Sequence, residues 1–322
     1  MDFLSSIVGQ DRAASLLQKI LETGTISHAY LFLGPAGVGK MSCAQAFAQA
    51  IVGQDDSDAQ VLFRENIHPD LMVLEKEEGR SVITKEQISQ KLEPWLGLKP
   101  YRASRRVAII RDSQLMSNEA GNALLKTLEE PPDYAVIILV ADDQNLLPTV
   151  VSRCQLVRFN LLADKEIEKI LHDQEVEPLK VTQAASLGQG SVATALRFAR
   201  EEDYEKIWET SRNIIADLSG EEIIEVYKSA EKMELAPELI VNLLISLLRD
   251  INIYQQTSKE ELLALPGSSE LARSIRKVQP QHLTAALDNI MSLRNYYRGN
   301  VNTLIINVNI AYEIWQAFNS RY

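Results

Sequence analysis

Apolar positions along this chain change their period once. Through roughly the first 160 residues, short unbroken apolar runs alternate with amphipathic stretches; beyond them the apolar positions recur only at helical spacing. Ala14, Leu17, Ile20 and Leu21 share one face of a helix over 11–22 that Gly24 ends. Ala29-Tyr30-Leu31-Phe32-Leu33 has the length of a buried strand, and a glycine-rich turn follows at once. The next helix is predicted over Lys40–Val52, with Ala44, Phe47, Ala48 and Ile51 facing inward. The polar, acidic stretch 53–64 reads as a loop. Residues 70–74 and 107–110 are further buried-strand candidates, with a helix between them that turns Ile88 and Leu92 inward. Ser117 has the chemistry of a helix N-cap, Ala120, Ala123, Leu124 and Leu128 make the stripe behind it, and Pro131-Pro132 stops that helix. Residues 135–140 form the strongest strand signal in the chain.

Strands alternating with helices imply a mostly parallel sheet covered on both faces. The strand signals end near 162. Short helices are expected over 163–200, around Gly188-Gln189-Gly190-Ser191, and only helices from about 205 onward. One stripe is Ile240, Leu243, Leu244, Leu247, Leu248 and Ile251, and another is Leu283, Leu287 and Ile290; Pro237, Pro266-Gly267 and Pro280 punctuate the segments. The expected fold class is therefore α/β followed by all-α, with breaks that divide the chain into 1–162, 163–204 and 205–322.

The charge pattern narrows the function classes. A net charge of −11 over 322 residues argues against a protein whose main task is gripping a phosphate backbone. Two cysteines, Cys43 and Cys154, cannot build a disulfide framework or a four-ligand zinc site, and the four histidines, His28, His68, His172 and His282, are scattered. His28 reads as structural. Met1-Asp2-Phe3-Leu4 lacks the basic flank and long apolar run of a signal peptide, and no stretch reaches membrane-spanning length. A cytoplasmic protein with no membrane association and no metal is expected.

One motif carries chemistry. Gly34-Pro35-Ala36-Gly37-Val38-Gly39-Lys40 lies between a predicted strand and a predicted helix, the context of a phosphate-binding loop. Glycines let backbone N–H groups curl around a phosphate, Lys40 adds a charge, and the helix N-terminus favours an anion. Gly34, Gly37, Gly39 and Lys40 are the candidate nucleotide-binding residues. The position after the lysine normally carries Ser or Thr, whose hydroxyl ligates Mg²⁺; here it is Met41. Ser42 comes one residue late, turned by about 100° around the helix. The second NTPase motif needs an apolar strand followed by Asp-Glu, but Ile110 is followed by Arg111-Asp112-Ser113. In one register Arg111 replaces the Asp and Asp112 the Glu; in the other, Asp112 is the metal Asp and Ser113 replaces the Glu. Neither gives the pair. An arginine beside a Mg²⁺ site is repulsive, and a carboxylate one methylene short misplaces the attacking water.

At these residues the sequence resembles a known family. Val8-Gly9-Gln10, Ile26-Ser27-His28-Ala29-Tyr30-Leu31-Phe32 leading into the loop, Asn122-Ala123-Leu124-Leu125-Lys126-Thr127-Leu128-Glu129-Glu130-Pro131-Pro132, and the triplet Ser152-Arg153-Cys154 are similar to the clamp-loader subunits of bacterial DNA polymerase III, an AAA+ family. Ile67-His68-Pro69-Asp70 and Asn300-Val301-Asn302 favour its delta-prime branch over the gamma/tau motors. The resemblance implies a RecA-like AAA+ nucleotide domain (1–162), a small helical lid (163–204) and a C-terminal helical collar domain (205–322) that assembles into a ring. It also implies a subunit that hydrolyses no ATP on its own, is part of the DNA polymerase III holoenzyme, and supplies Arg153 in trans to a neighbour's ATP. The implied partners are the motor (gamma/tau) and delta subunits, with the sliding clamp and primed DNA reached through the assembled complex. No cofactor is required; the loop is a relic or a weak ATP/ADP binder without Mg²⁺-dependent hydrolysis.

Further departures bear on this. Motor subunits carry an arginine in the lid where Ala193 stands after Gly190-Ser191, and Ala141, in an alignment that can slip by one, takes a position usually polar. Many delta-prime proteins hold a four-cysteine zinc module before the His-Pro-Asp segment; 53–66 contain no cysteine, so the module is lost or the region is only a loop. The competing readings are an active motor ATPase of the gamma/tau type and a nucleotide-binding adaptor outside replication.

Overall fold

The computed structural model describes residues 7–53, 56, 58–65, 67–265, 267–298 and 301–320. Residues 1–4, Pro266 and Asn300, which entered the sequence reading, lie outside them. The described chain forms two compact units: one up to Ile170 plus Gly190–Ala193, the other Leu171–Gln189 plus the chain from Thr194.

The first unit holds α1 (Asp11–Thr23), β1 (Ala29–Leu33), α2 (Lys40–Val52), α3 (Ala59–Arg64), β2 (Leu71–Leu74), α4 (Glu93–Leu96), β3 (Arg106–Ile110), α5 (Asn118–Glu129), β4 (Ala135–Ala141), α6 (Pro148–Val151), β5 (Gln155–Arg158) and the start of α7 (Asp164–Asp173). Its strands are all parallel, in the order β2-β3-β4-β1-β5. Every residue of β1, β3 and β4 is buried, as a sheet covered on both faces requires. On one face, Leu31, Ile110, Ile137 and Leu139 pack with Ile88, Leu92, Leu124 and Leu128. On the other, Tyr30 meets Phe47 edge to face at 5.1 Å. The N-cap of α5 is Ser117, whose side chain accepts from Ala120 N at 3.1 Å.

Two elements depart from the sequence reading. Part of the expected loop 53–64 is helical: α3 buries Ala59 and Phe63, and Phe63 stacks on His68 with ring centroids 5.0 Å apart. The polar stretch lacks an apolar period, but Asp56 anchors it. Arg102 donates to the Asp56 carboxylate from Nε (2.5 Å) and Nη2 (2.8 Å), and His68 Nε2 lies 3.3 Å from Oδ2. The second departure is β5, whose four residues Gln155–Arg158 carry too little apolar signal to announce an edge strand; its partner β1 creates it. The helix before β3 also carries a π-helical turn over Gln87–Leu92.

Asp70, expected at the start of a strand, is a buried carboxylate just before β2. It accepts the backbone N–H groups of Tyr101, Arg102 and Ala103 at 2.8, 2.7 and 3.0 Å and pairs with Arg106 at 3.3 Å. Burial raises its pKa, but these donors outweigh burial and hold it below the usual value.

The second unit is helical: the end of α7, α8 (Pro178–Gly188), α9 (Val192–Arg200, entered from the first unit), α10 (Tyr204–Leu218), α11 (Ile224–Lys232), α12 (Pro237–Thr257), α13 (Ser268–Ser274), α14 (Pro280–Arg294) and α15 (Thr303–Asn319). The stripe from Ile240 to Ile251 is buried along α12, which packs against α10, α13 and α14. The described residues contain no helix long and apolar enough to cross a membrane.

Candidate functional site

Three peptide features shape the loop between β1 and α2. Gly34 continues β1 and donates to Ala141 O at 3.3 Å; a Cβ there would lie 2.3 Å from the carbonyl oxygen of Phe159, so only glycine lets β1 and the chain beyond β5 come this close. Gly37 (φ 74°) and Gly39 (φ 93°) both take left-handed backbone. Gly39 then opens α2, and Cys43 N returns to its carbonyl at 2.9 Å.

Lys40 is buried, 4% exposed. Its Nζ donates to Gly34 O (2.6 Å) and Pro35 O (2.5 Å) and pairs with Asp142 Oδ1 at 2.8 Å. The sheet explains the partner: Leu33 is registered with Ala141, so the first residue past β4 falls level with the loop. Asp142 N in turn donates to Gln114 Oε1 at 3.2 Å. Sequence reading missed Asp142; its signal was an acid directly after the strongest strand. Gly190–Ala193 also reaches the loop. Ala193 N donates to Gly37 O at 3.2 Å, and a Cβ on Gly37 would lie 2.2 Å from Ser191 Oγ. The lysine, the loop carbonyls and Asp142 thus satisfy one another, and Ser191 and Ala193 pack against the glycine turn.

At the positions where the motif pattern places metal-ligating groups, other residues stand. Met41 stands at the hydroxyl position and Ser42 is exposed on α2. Arg111 follows β3, with Nη1 3.3 Å from Glu75 and Nε 3.7 Å from Asp112. Asp112 adopts left-handed backbone (φ 51°), and Ser113 is buried with its hydroxyl given to Val140 O at 3.0 Å. In either register, then, an arginine or a buried hydroxyl occupies a position where Mg²⁺ chemistry needs a carboxylate.

Arg153 lies elsewhere. It sits just before β5, and β5 is registered with β1 from Tyr30↔Gln155 to Leu33↔Arg158. The phosphate loop follows Leu33 at the opposite end of those parallel strands. Four strand residues separate the two levels, roughly 13 Å at the usual rise. The guanidinium is held at its own end: Nη1 donates to Thr149 O at 2.9 Å and Nη2 to Glu129 Oε1 at 2.6 Å. Neighbouring Cys154 gives its Sγ–H to Val150 O at 3.3 Å, and burial pushes its thiol up to about 12, as it does for Cys43. Neither is a nucleophile near neutral pH. His28 Nε2 is buried without a hydrogen-bond partner, while its carbonyl accepts from Ile137 N.

The glycine loop thus follows β1, an interior strand of a parallel sheet, and leads into α2. Residues 9–163 match the model of a family described as DNA polymerase III, delta subunit. Over those residues the chain is similar to that family. Its relatives include DNA polymerase III subunit delta' of Bacillus subtilis, 32% identical over 203 residues, 61% of this chain and 60% of that protein. Subunit delta' of Pseudomonas aeruginosa is 33% identical over 53% of this chain and 55% of its own. Subunit tau of Bacillus subtilis is 31% identical over 59% of this chain and 36% of its own. The chain thus spans between about a third and three fifths of the length of these relatives.

Proposed function

We propose that this chain is a non-hydrolysing, delta-prime-type subunit of a DNA polymerase III clamp loader, and that Arg153 acts in trans on ATP held by a neighbouring motor subunit. In this reading 163–204 serve as lid and 205–322 as collar, within a ring with gamma/tau and delta subunits that loads the sliding clamp onto primed DNA. The observation that carries the reading is the separation of Arg153 from Lys40 by the length of β1. At that distance the guanidinium cannot serve the chain's own loop, yet it stands half-exposed at an end of the sheet. A guanidinium offered across an interface stabilises charge on a transferring phosphoryl group, an effect of roughly 10³–10⁵ in rate.

The loop supports the non-hydrolysing part. Any phosphate entering it competes with Asp142 and two carbonyls for Lys40, and Mg²⁺ meets Met41 and Arg111. ATP or ADP then binds weakly or not at all. A second reading, a motor of the gamma/tau type, draws on the tau relatives, whose identity nearly equals that of the delta' relatives.

A mixing experiment separates the two. Purified chain is combined with the motor and delta subunits of the same organism, sized by light scattering and assayed for DNA-stimulated ATPase. The expected result is a stable complex, no turnover by the chain alone, and a large loss of complex ATPase on Arg153→Ala with assembly intact. Turnover by the isolated chain that Lys40→Ala abolishes favours the motor reading. No complex at all rejects both.

A further inference from the structure

We propose that Glu129 is a positioning residue for Arg153, fixing the guanidinium in the orientation in which it meets a neighbour's phosphate; the inference rests on the finger reading above. Glu129 is the last residue of α5, and its Oε1 lies 2.6 Å from Arg153 Nη2. Thr149, on the other side, takes Nη1 through its carbonyl at 2.9 Å. Two anchors on the two terminal nitrogens of a planar group set both its position and its plane, and leave the remaining donors of the fork for an incoming anion.

Three observations separate this from an ordinary surface ion pair. First, α5 gains nothing from the carboxylate. Glu129 and Glu130 lie at the C-terminal end of the helix, where the backbone carbonyls already concentrate negative charge and a cation would suit better. Second, the pair is poorly placed to stabilise the fold, since Arg153 and Glu129 are 35% and 51% exposed and solvent screens them. Third, both anchors are rigid. Glu129 ends a helix whose Leu124 and Leu128 are fully packed under the sheet, and Thr149 lies in α6, whose Val150 is buried. A long side chain held from two fixed elements loses its rotamer freedom before it binds, so less is lost on binding. A carboxylate that costs its own helix and adds little to stability is explained by what it does to the arginine.

The test is carried out on the reconstituted complex, comparing wild type, Glu129→Gln, Glu129→Asp, Arg153→Ala and the Glu129→Gln/Arg153→Ala double variant. Glu129→Gln should lower kcat of the DNA-stimulated ATPase roughly tenfold, as expected when a catalytic group is displaced by a fraction of an ångström to an ångström. The KM for ATP and the size of the complex should stay unchanged. Glu129→Asp, which keeps the charge but is one methylene shorter, should recover only part of the rate, and the double variant should be no slower than Arg153→Ala alone, because the two residues act as one unit. An unchanged kcat in Glu129→Gln overturns the inference, as does a loss repeated in full on top of Arg153→Ala. An Arg153→Ala complex with the wild-type rate removes the finger reading itself, and this inference with it.

Discussion

Lys40 shows how far a motif can match while its chemistry departs. Loop glycines and lysine stand where a phosphate cradle has them, yet the ammonium is spent on Asp142 and on the loop's own carbonyls. Met41 stands where the motif carries a hydroxyl, and Arg111 follows β3, so the two departures come from separate segments. Replacing Met41 by Thr should therefore yield no ATPase, since Arg111 and the Lys40–Asp142 pair remain. Steady-state phosphate release by the purified variant checks this, and robust hydrolysis from that single change would contradict the account. Met41 and Arg111 were legible because each breaks a pattern with a fixed spacing. Asp142 was not, because its place beside Lys40 comes from the β1–β4 register, which joins residues about a hundred positions apart.

Elements hold together here through a few buried polar anchors as well as apolar faces. Asp70 ties the start of β2 to the segment before β3, with three N–H groups and Arg106 on one carboxylate. Its folded pKa lies below the usual 3.8. A group depressed in this way contributes stability that is full above the unfolded value and is lost as pH falls through the folded one. Asp56, held low chiefly by Arg102, acts in the same direction. Urea unfolding should thus show stability declining below about pH 4, and Asp70→Asn should flatten that decline. At neutral pH the same substitution should cost roughly 3–5 kcal/mol, since it leaves Arg106 buried without its counter-charge. Gly34 poses a second test between elements. Beyond its place in the candidate phosphate loop, Gly34 packs against Phe159 O, where a Cβ would lie 2.3 Å away. Gly34→Ala should destabilise the chain by about 1–3 kcal/mol through the forced shift at β1 and β5, measurable by thermal unfolding with no nucleotide present. A merely phosphate-related glycine would show no such loss.

At the scale of the molecule, an acidic chain of net charge −11 is expected to hold duplex DNA poorly when isolated. Fluorescence anisotropy at about 0.15 M salt, where the Debye length is roughly 8 Å, should show no appreciable binding. Tight binding that falls steeply with added salt would point to a basic surface that the overall charge conceals. The two units divide the labour of folding. The first is organised by a parallel sheet whose central strands are apolar throughout, the second by helices around the buried stripe of α12. Their contrast was plain in the sequence, because a strand buried on both faces is continuously apolar while a packed helix is periodic, and each signature is local.

What the sequence determined by itself was therefore whatever a short window encodes: the central strands, the long amphipathic helices, the glycine loop between β1 and α2, and the Ser152-Arg153-Cys154 triplet. Tertiary structure decided the rest. It recruited the weakly apolar β5 by pairing it to β1, folded α3 near the Asp56–Arg102 anchor, and placed Asp142 on Lys40 and Glu129 on Arg153. It also set Lys40 and Arg153 at opposite ends of the same strands. Each of these depends on strand register or on a charge pair between distant segments, and neither leaves a periodic trace in the local sequence.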